Sequence, residues 1–529
     1  LWEIPVLDGY SFSQTTNTSE IALAEMESSA GISRRGRRMF TDSLAPAEWS
    51  FSTYARPFKS LAGSVATGSQ AADTAAEVHA VEEVLWASMF GADKVLSNNF
   101  VRNIQPVGGA DASVITASST SSTVTIGESN RSALHSFTLF FLIDTATSNP
   151  LLYRMPEAIV NEASVDFDVD GIATINWSGF AKEIQDNSSK LVVSANATPT
   201  KSNGRVGTGT GDLALGDIII NTGNTRAVSI VDDVSGSNVA GTQAIDEAIT
   251  STKNFIRNRL TGVTIESGET GGTDKVPGIF PGQHAVITGV NAGTDTVTVS
   301  TDTNFTAGDQ VFVTGVGGTT GINSTHNFVG ALSTSSPFTF KLYDTRVKAL
   351  AGAATGASGA PVDLAGTFSG SGGTVANGKY SLTLTGGSFN LGNNISYLVP
   401  EELGAINKPL EHVTGTRTAT GNATCYLTLE DTDSTNGTSR QFFNDLVGTG
   451  SMSKVVNKFK VTMDIGGTAA AADTVNPALS IVFPTAHIEV PSHSIEDVIS
   501  LETNFTALPT DFGQADEITS ITYKSPATY

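Results

Sequence analysis

Residue types that take part in catalysis are present in this 529-residue sequence, but their spacing forms no recognised site. The closest histidines, His487 and His493, are six positions apart and lack the third ligand that a zinc site needs. No H-E-x-x-H or G-x-S-x-G pattern occurs. The 52 acidic residues offer carboxylate pairs for glycosidase chemistry, but nothing singles one pair out. We therefore predict that the protein is not an enzyme and holds no metal and no cofactor.

The clearest group of carboxylates is a D-x-D-x-D-G run formed by Asp166, Asp168 and Asp170. An EF-hand loop with this opening needs flanking helices and a bidentate Glu at its twelfth position, where this sequence has Trp177. The alternation of the aspartates with apolar residues instead predicts a β-hairpin with a two-residue turn at Asp170-Gly171. The three carboxylates are then expected on one face of a strand.

A second charged group is basic and stands out in a chain of net charge −22: Arg34, Arg35, Arg37 and Arg38 in GISRRGRRMF. Because nucleic-acid affinity comes mostly from Lys and Arg, 52 acidic against 30 basic residues argue against a general nucleic-acid binder. Opposite charges on identical subunits favour head-to-tail contacts, and arginine pairs with carboxylates in a bidentate manner. We predict that RRGRR contacts acidic surface of a neighbouring subunit; a solvated loop and a DNA contact are the alternatives.

The elements that position these residues are predicted to be mainly strands, because short Val/Ile/Phe/Thr runs alternate with clusters of turn-forming residues. One amphipathic helix is predicted over 73–90, ending at Gly91. Its apolar stripe is Val78, Val81, Leu85 and Met89. Its glutamates, Glu77, Glu82 and Glu83, are expected to face water.

The domain organisation is predicted from changes in composition. Residues 273–377 form a series of short strands between Gly-rich hinges, which indicates an inserted all-β module. The main domain then comprises 1–272 and 378–529, with long exposed loops over 200–245. Its fold class is mainly β, a sandwich or barrel with one flanking helix.

Compartment signals are few. No apolar run approaches the roughly 18 residues of a membrane helix, and the opening LWEIPVLDGYSF does not resemble a signal peptide. The single cysteine, Cys425, excludes an intrachain disulfide and alternates with apolar residues, which favours a buried position. We expect no membrane association.

Several segments resemble the major tail tube proteins of long-tailed bacteriophages (Caudoviricetes). They are IPVLDGYSFSQTTNTSEIALAEM, SRRGRRMFTDSLAPAEWSFSTYARPF, INWSGF, NFIRNRLTG and GAINKPLEHVTGTRTATGNATCYL, in this order. The resemblance implies a β-sandwich subunit with a flanking helix, six of which close a ring around a shared inner β-barrel. Stacked rings then form a hollow tube through which DNA leaves the virion at ejection.

The resemblance also implies partners: further copies of the chain, the tape measure, tail terminator and baseplate or tip proteins, and a possible sheath. The protein is expected in the virion tail after assembly in the host cytoplasm. An acidic bore would keep DNA mobile, and only carboxylates within about 8 Å of the DNA would matter. The face of Asp166, Asp168 and Asp170 is a candidate lining; an outer solvated face is the alternative. A surface-layer or adhesin-type protein and another virion component, a decoration or baseplate protein, remain alternative functions.

Overall fold

The structure is a computed structural model. It describes residues 4–24, 35–59, 78–91, 93–94, 113–127, 134–143, 151–188, 191–194, 218–221, 228–233, 240–243, 255–267, 284–301, 303, 305, 307–308, 310–323, 326–352, 359–369, 373–377, 379–382, 384–400, 407–427, 439, 442–443, 459–466, 477–489, 492–495, 499–509 and 516–524. Within these residues the chain is mainly β, as predicted, and antiparallel pairing predominates.

The strands before the insert are β1 Ser11–Ser13, β2 Thr16–Ala24, β3 Arg35–Leu44, β4 Ala47–Tyr54, β5 Pro57–Lys59, β6 Val78–Ala80, β7 Asp93–Lys94, β8 Val114–Ala117, β9 Ser121–Thr125, β10 Phe137–Ile143, β11 Leu151–Asp168, β12 Thr174–Ala181, β13 Gln185–Asp186, β14 Leu191–Ser194, β15 Ile218–Asn221, β16 Val228–Asp233, β17 Ala240–Gln243 and β18 Gly262–Ser267. The strands of the insert are β19 His284–Asn291, β20 Thr296–Val299, β21 Gln310–Thr314, β22 His326–Ser333, β23 Phe338–Tyr343 and β24 Thr374–Asn377. The strands after it are β25 Lys379–Leu382, β26 Leu384–Gly392, β27 Ser396–Leu398, β28 Glu411–Val413, β29 Thr418–Tyr426, β30 Phe459–Ile465, β31 Ala478–Ile488, β32 Ser492–Ile495, β33 Ile499–Ala507 and β34 Ser520–Lys524. The helices are α1 Glu83–Phe90 and α2 Arg346–Ala351, with 3₁₀ turns at Asn258–Leu260 and Thr320–Ile322.

Two large sheets enclose the main hydrophobic core. The strands of the first, here called the long sheet, pair in the order β1-β4-β12-β11-β26-β29-β33-β32. Those of the second, the outer sheet, pair in the order β25-β18-β30-β31-β34-β9-β8-β7. Every second residue of the strands points into the core between them, including the fully buried Trp177, Phe389 and Tyr523. The β-sandwich predicted from the sequence is thus confirmed.

The long sheet contains an internal repeat that we did not predict. The order β1-β4-β12-β11 in its first half, the first unit, is followed by the equivalent order β26-β29-β33-β32 in the second unit. One row of cross-strand partners in the first unit is Phe12, Trp49, Gly179 and Val160. The equivalent row in the second unit is Phe389, Gly421, Phe505 and Ile488.

Large and small residues are exchanged in these two rows. In the first unit Trp49 faces Gly179, and a Cβ on this glycine would lie 2.5 Å from the indole. In the second unit Gly421 faces Phe505, and a Cβ there would lie 2.4 Å from the phenyl ring. Each pair therefore fills the same space with one aromatic ring on opposite strands. In both units the glycine leaves the room that the facing ring occupies, and a larger residue there would clash with it.

Matched β-bulges give a second line of evidence for the repeat. β10 pairs with β11 in the same way that β30 pairs with β31, and in both ladders the register shifts by one residue beside a proline, Pro156 or Pro484. Proline has no N–H to donate, so a bulge accommodates it. At these bulges β11 and β31 leave the pairing with β10 and β30 and continue in the long sheet.

Helix α1 is shorter than the predicted helix over 73–90. Residues 60–77 lie outside the described part of the chain, and Val78 belongs to β6, which pairs with β5. The helix ends at Gly91, which adopts a left-handed conformation (φ 60°), as expected of a C-terminal glycine. Of its eight residues only Val84 is not buried, so the predicted amphipathic character is wrong.

The glutamates at the start of α1 are also buried, against the prediction that they face water. Glu82 and Glu83 are 0% and 2% exposed. Glu83 accepts a hydrogen bond from the backbone N–H of Ala80 at 3.2 Å. The cause is that the helix packs against both sheets: Trp86 lies edge-on against Trp177 of the long sheet at 4.6 Å and donates a hydrogen bond to the hydroxyl of Tyr523, in the outer sheet, at 2.8 Å.

The insert begins and ends at a β-hairpin of the outer sheet. β18 pairs with β25, and the chain between Ser267 and Lys379 contains the closed barrel β19-β20-β23-β22-β21-β24. This barrel has its own core, which includes Val297, Val311 and Phe340. The predicted boundaries, 273 and 377, lie close to these two strand ends.

Residues 200–245 differ from the predicted long loops. The described residues of this stretch form β15, β16 and β17, which make a four-stranded sheet with β14. The sequence signal for a strand was the run Ile218–Ile220, which is apolar and β-branched.

Candidate functional site: a polar sheet face without basic residues

The outward face of the long sheet, here called the polar face, consists of the residues that alternate with the core positions. They are Ser11, Ser13, Glu48, Ser50, Ser52, Tyr54, Glu162, Ser164, Asp166, Asp168, Thr174, Asn176, Ser178, Phe180, Gly386, Ser388, Asn390, Gly392, Thr418, Thr420, Asn422, Thr424, Tyr426, Ser500, Glu502, Asn504 and Thr506. Most are Ser, Thr or Asn.

No Lys or Arg occupies any of these positions of the polar face, although five of them carry a carboxylate: Glu48, Glu162, Asp166, Asp168 and Glu502. The outward side of the outer sheet differs, because Lys460 and Lys524 lie there. The negative charge of the chain is thus unbalanced on this face. A surface of this kind repels a phosphate backbone and supplies no cation to bind it.

Side chains of the polar face hydrogen-bond to one another across the strands. The Ser52 hydroxyl donates a hydrogen bond to the side-chain oxygen Oδ1 of Asn176 at 2.6 Å. The side-chain nitrogen Nδ2 of Asn176 donates in turn to the Asp166 carboxylate at 3.3 Å. The Asn390 amide donates to Glu162 at 2.6 Å. These bonds hold short side chains close to the sheet, so the face presents few long, mobile groups.

The structure brings two of the three predicted aspartates onto this face. Asp166 and Asp168 are exposed at the end of β11. The expected two-residue turn does not form, because the ladder between β11 and β12 ends at the pair Asp166 and Thr174. Asp170 lies beyond the strand, in a loop whose Ile172 pairs with Arg257, and its carboxylate is 3.8 Å from Arg259.

The predicted arginine contact falls on the hairpin of β2 and β3. Arg34 lies outside the described residues, whereas Arg35, Arg37 and Arg38 are backbone positions of β3 that pair with Ala24, Ala22 and Ile21. The hairpin contacts the segment between β27 and β28, where Ser43 forms a bridge with Asn407. Its Met39 and Phe40 are 67% and 46% exposed, which leaves apolar surface near the arginines open to solvent.

Within the part of the chain that the structure describes, the long sheet has an unpaired edge at each end. Among the described strands β1 pairs only with β4, and β32 pairs only with β33. Unpaired backbone N–H and C=O groups at a sheet edge readily accept a strand from another chain. The arrangement of the molecule therefore favours association at both edges.

Other candidate chemistry does not converge. The described residues contain no group of three or more His, Cys, Asp or Glu that is able to hold a metal ion. Cys425 points into the core from β29, and burial raises the pKa of its thiol to about 12, which makes it a poor nucleophile. No helix in the described part of the chain has the length and apolarity to span a bilayer.

Comparison with known proteins gives one informative match. No family model matches the chain. The tail tube protein pb6 of Escherichia phage T5 is 34% identical over 141 residues, which are 27% of this chain and 28% of that protein.

Over this stretch the chain is similar to a phage tail tube protein. The similarity supports a structural role in a phage tail. The chain spans little more than a quarter of the length of that relative.

Neither the polar face nor the repeat was predicted from the sequence, although the sequence contains signals for both. The face appears as Ser, Thr and Asn at every second position of several strands, as in AEWSFSTY. The repeat appears in the related strings NPLLYRMPEA and NPALSIVFPTA, which begin at Asn149 and Asn476.

Proposed function

We propose that the protein is a tail tube subunit whose copies close into rings, and that stacked rings enclose a bore through which DNA passes at ejection. The observation that carries the proposal is the polar face, a sheet surface of small polar and acidic side chains without Lys or Arg. The partial similarity to a phage tail tube protein supports it. Contacts with the other tail proteins, and assembly in the host cell, belong to the same proposal.

The internal repeat supports a ring of three chains. A ring of six equivalent units, as the family resemblance implies, needs six chains if each chain supplies one unit. This chain supplies two, with the same strand order and the same bulges. Three chains therefore complete a ring of six units.

In this ring the polar face lines the bore. A wall without cations displaces no counterions from the DNA and therefore gains no electrostatic affinity for it. Its carboxylates repel DNA phosphates within about 8 Å. The barrel insert leaves the outer sheet between β18 and β25, on the opposite side of the core from the polar face. It therefore lies on the outside of the tube.

Negative-stain electron microscopy of the purified protein tests the proposal. We expect hollow tubes made of stacked rings. Flat lattices would favour a surface-layer protein, and isolated particles at all concentrations would overturn the proposed tube.

The arginines of β3 are expected to strengthen assembly. Replacing Arg34, Arg35, Arg37 and Arg38 together by Ser should leave a folded chain that polymerises poorly, because the acidic neighbouring chain loses its cationic partner. Tube yield in sedimentation and electron micrographs is the measurement. The matched variant with four lysines retains the charge but not the bidentate geometry, and an intermediate yield is expected from it. Tubes at the normal yield from the Ser variant would contradict the contact.

A further inference from the structure

The strand pairing inside one chain provides a template for the pairing between chains. The first and second units meet where β11 pairs with β26 in an unbroken antiparallel ladder of seven residue pairs from Glu162 and Gly392 to Asp168 and Gly386. This ladder, here called the internal seam, joins the last strand of one unit to the first strand of the next.

The two unpaired edges of the long sheet consist of the equivalents of these same strands. β1 is the first strand of the first unit and occupies the position that β26 has in the second. β32, with the end of β31, is the last strand of the second unit and occupies the position of β11. The edges are therefore complementary to each other in the same way as the strands of the internal seam.

The bulges and ladders fix the equivalent residues. Ala158 and Ala486 occupy the same place beside the proline bulge, so Asp166 of β11 corresponds to Ser494 of β32. Phe12 and Phe389 hold the same place in the two equivalent rows of cross-strand partners, so Ser11 corresponds to Ser388. In the internal seam Asp166 faces Ser388.

We propose that β32 of one chain pairs with β1 of the next in the register of the internal seam, with Ser494 opposite Ser11 and His493 opposite Phe12. The occupant of each edge is a second copy of this chain. The contact is head-to-tail, and repetition around three chains closes the ring. The inference rests on the proposed tube, because only a closed ring leaves every copy with both edges paired.

Paired cysteines test the register. In Ser11→Cys/Ser494→Cys, facing positions of an antiparallel pair lie about 5.5 Å apart, within the range of a disulfide. Oxidised tubes dissolved in detergent without reductant should give covalent dimers and trimers, with the trimer as the largest species. The buried thiol of Cys425 does not compete.

Two controls accompany this variant. Ser13→Cys/Ser494→Cys joins positions that are out of the proposed register, about 7–8 Å apart, and should cross-link at least tenfold less. Asp166→Cys/Ser388→Cys lies in the internal seam and should form a disulfide within one chain, without covalent oligomers.

The possible outcomes distinguish the proposed pairing of β32 with β1 from the proposed tube. If the Ser11→Cys/Ser494→Cys variant forms visible tubes that release only monomers, the register is overturned and the tube proposal stays intact. The same holds if the control Ser13→Cys/Ser494→Cys cross-links as much as Ser11→Cys/Ser494→Cys. A ladder up to six chains would support the seam and overturn the ring of three. Absence of tubes from the unmodified protein would overturn both.

Hydrogen exchange of the unmodified protein gives an independent readout if a cysteine variant does not fold. Within residues 10–13 and 492–495, the backbone amides that point away from β4 and β33 should exchange rapidly in dissociated chains. In tubes their exchange should be at least tenfold slower, because the edge amides acquire partners. Equal exchange in the two states would overturn the proposal.

Discussion

Tubes of the variant Thr418→Lys/Thr420→Lys are expected to retain DNA that the natural tubes do not hold. Both threonines are exposed on β29, on the polar face. In a ring of three chains the variant adds about six lysines to the wall, and each phosphate contact contributes about −0.9 to the slope of log K against log salt. Six or more contacts correspond to an affinity loss of about 10³-fold or more between 50 and 200 mM salt. Co-sedimentation of short fluorescent duplexes with the tubes measures this binding.

Nuclease protection distinguishes the bore from the outer surface. Thr264 and Thr462 are cross-strand partners on the outward side of the outer sheet, and Thr264→Lys/Thr462→Lys is the matched control. DNA on the control tubes should be digested, whereas DNA in the bore of the polar-face variant should survive. If both variants lose their DNA to the nuclease at the same rate, the polar face does not line a bore.

Glu82→Gln is expected to remove a large dependence of stability on pH. Burial is the main cause that raises the pKa of the Glu82 carboxyl from its ordinary value of 4.5 to about 8. Tyr523 and Arg56 are the neighbours that oppose this shift. Between these pH values the folded chain keeps the carboxyl neutral while the unfolded chain ionises it. The unfolded state then binds fewer protons, so stability falls as pH rises from about 4.5 to 8.

The size of the effect follows from the interval between the two pKa values. Each unit is worth about 1.4 kcal/mol, so the free energy of unfolding should fall by on the order of 4 kcal/mol across this range. Glutamine is neutral throughout, and the variant should lose most of this fall. Denaturant unfolding of unassembled protein at pH 5 and pH 8 is the measurement. The exposed Glu48→Gln should behave as the natural chain does; a Glu82 variant with the natural pH profile would contradict the assignment.

The buried glutamates also explain why the helix prediction was only partly right. The spacing of Val78, Val81, Leu85 and Met89 predicts one apolar face of a helix. The predicted end of the helix at Gly91 is correct. Spacing does not reveal what covers the opposite side. Here residues from both sheets pack against α1, and Trp86 contacts Trp177 of the long sheet and Tyr523 of the outer sheet. Tertiary contacts of this kind override the polar character of single residues.

Other differences have the same origin. The two-residue turn at Asp170-Gly171 was inferred from local pattern, but Ile172 pairs with Arg257 and holds the chain in a wider loop. The strands Ile218–Asn221, Val228–Asp233 and Ala240–Gln243 were hidden by surrounding Gly, Thr and Asn. In both cases pairing with residues distant in sequence decides the conformation.

The sequence by itself determined the mainly β class, the burial of Cys425 and the outward exposure of Asp166 and Asp168. These properties follow from alternation along a single strand, which local sequence encodes directly. Only the tertiary structure decided that strands far apart in the chain place their Ser, Thr, Asn and carboxylate residues on one continuous face. It also decided that β1 and β32 remain as matching edges. Both features depend on which strands become neighbours, and that choice is made by long-range packing of the core rather than by any local pattern.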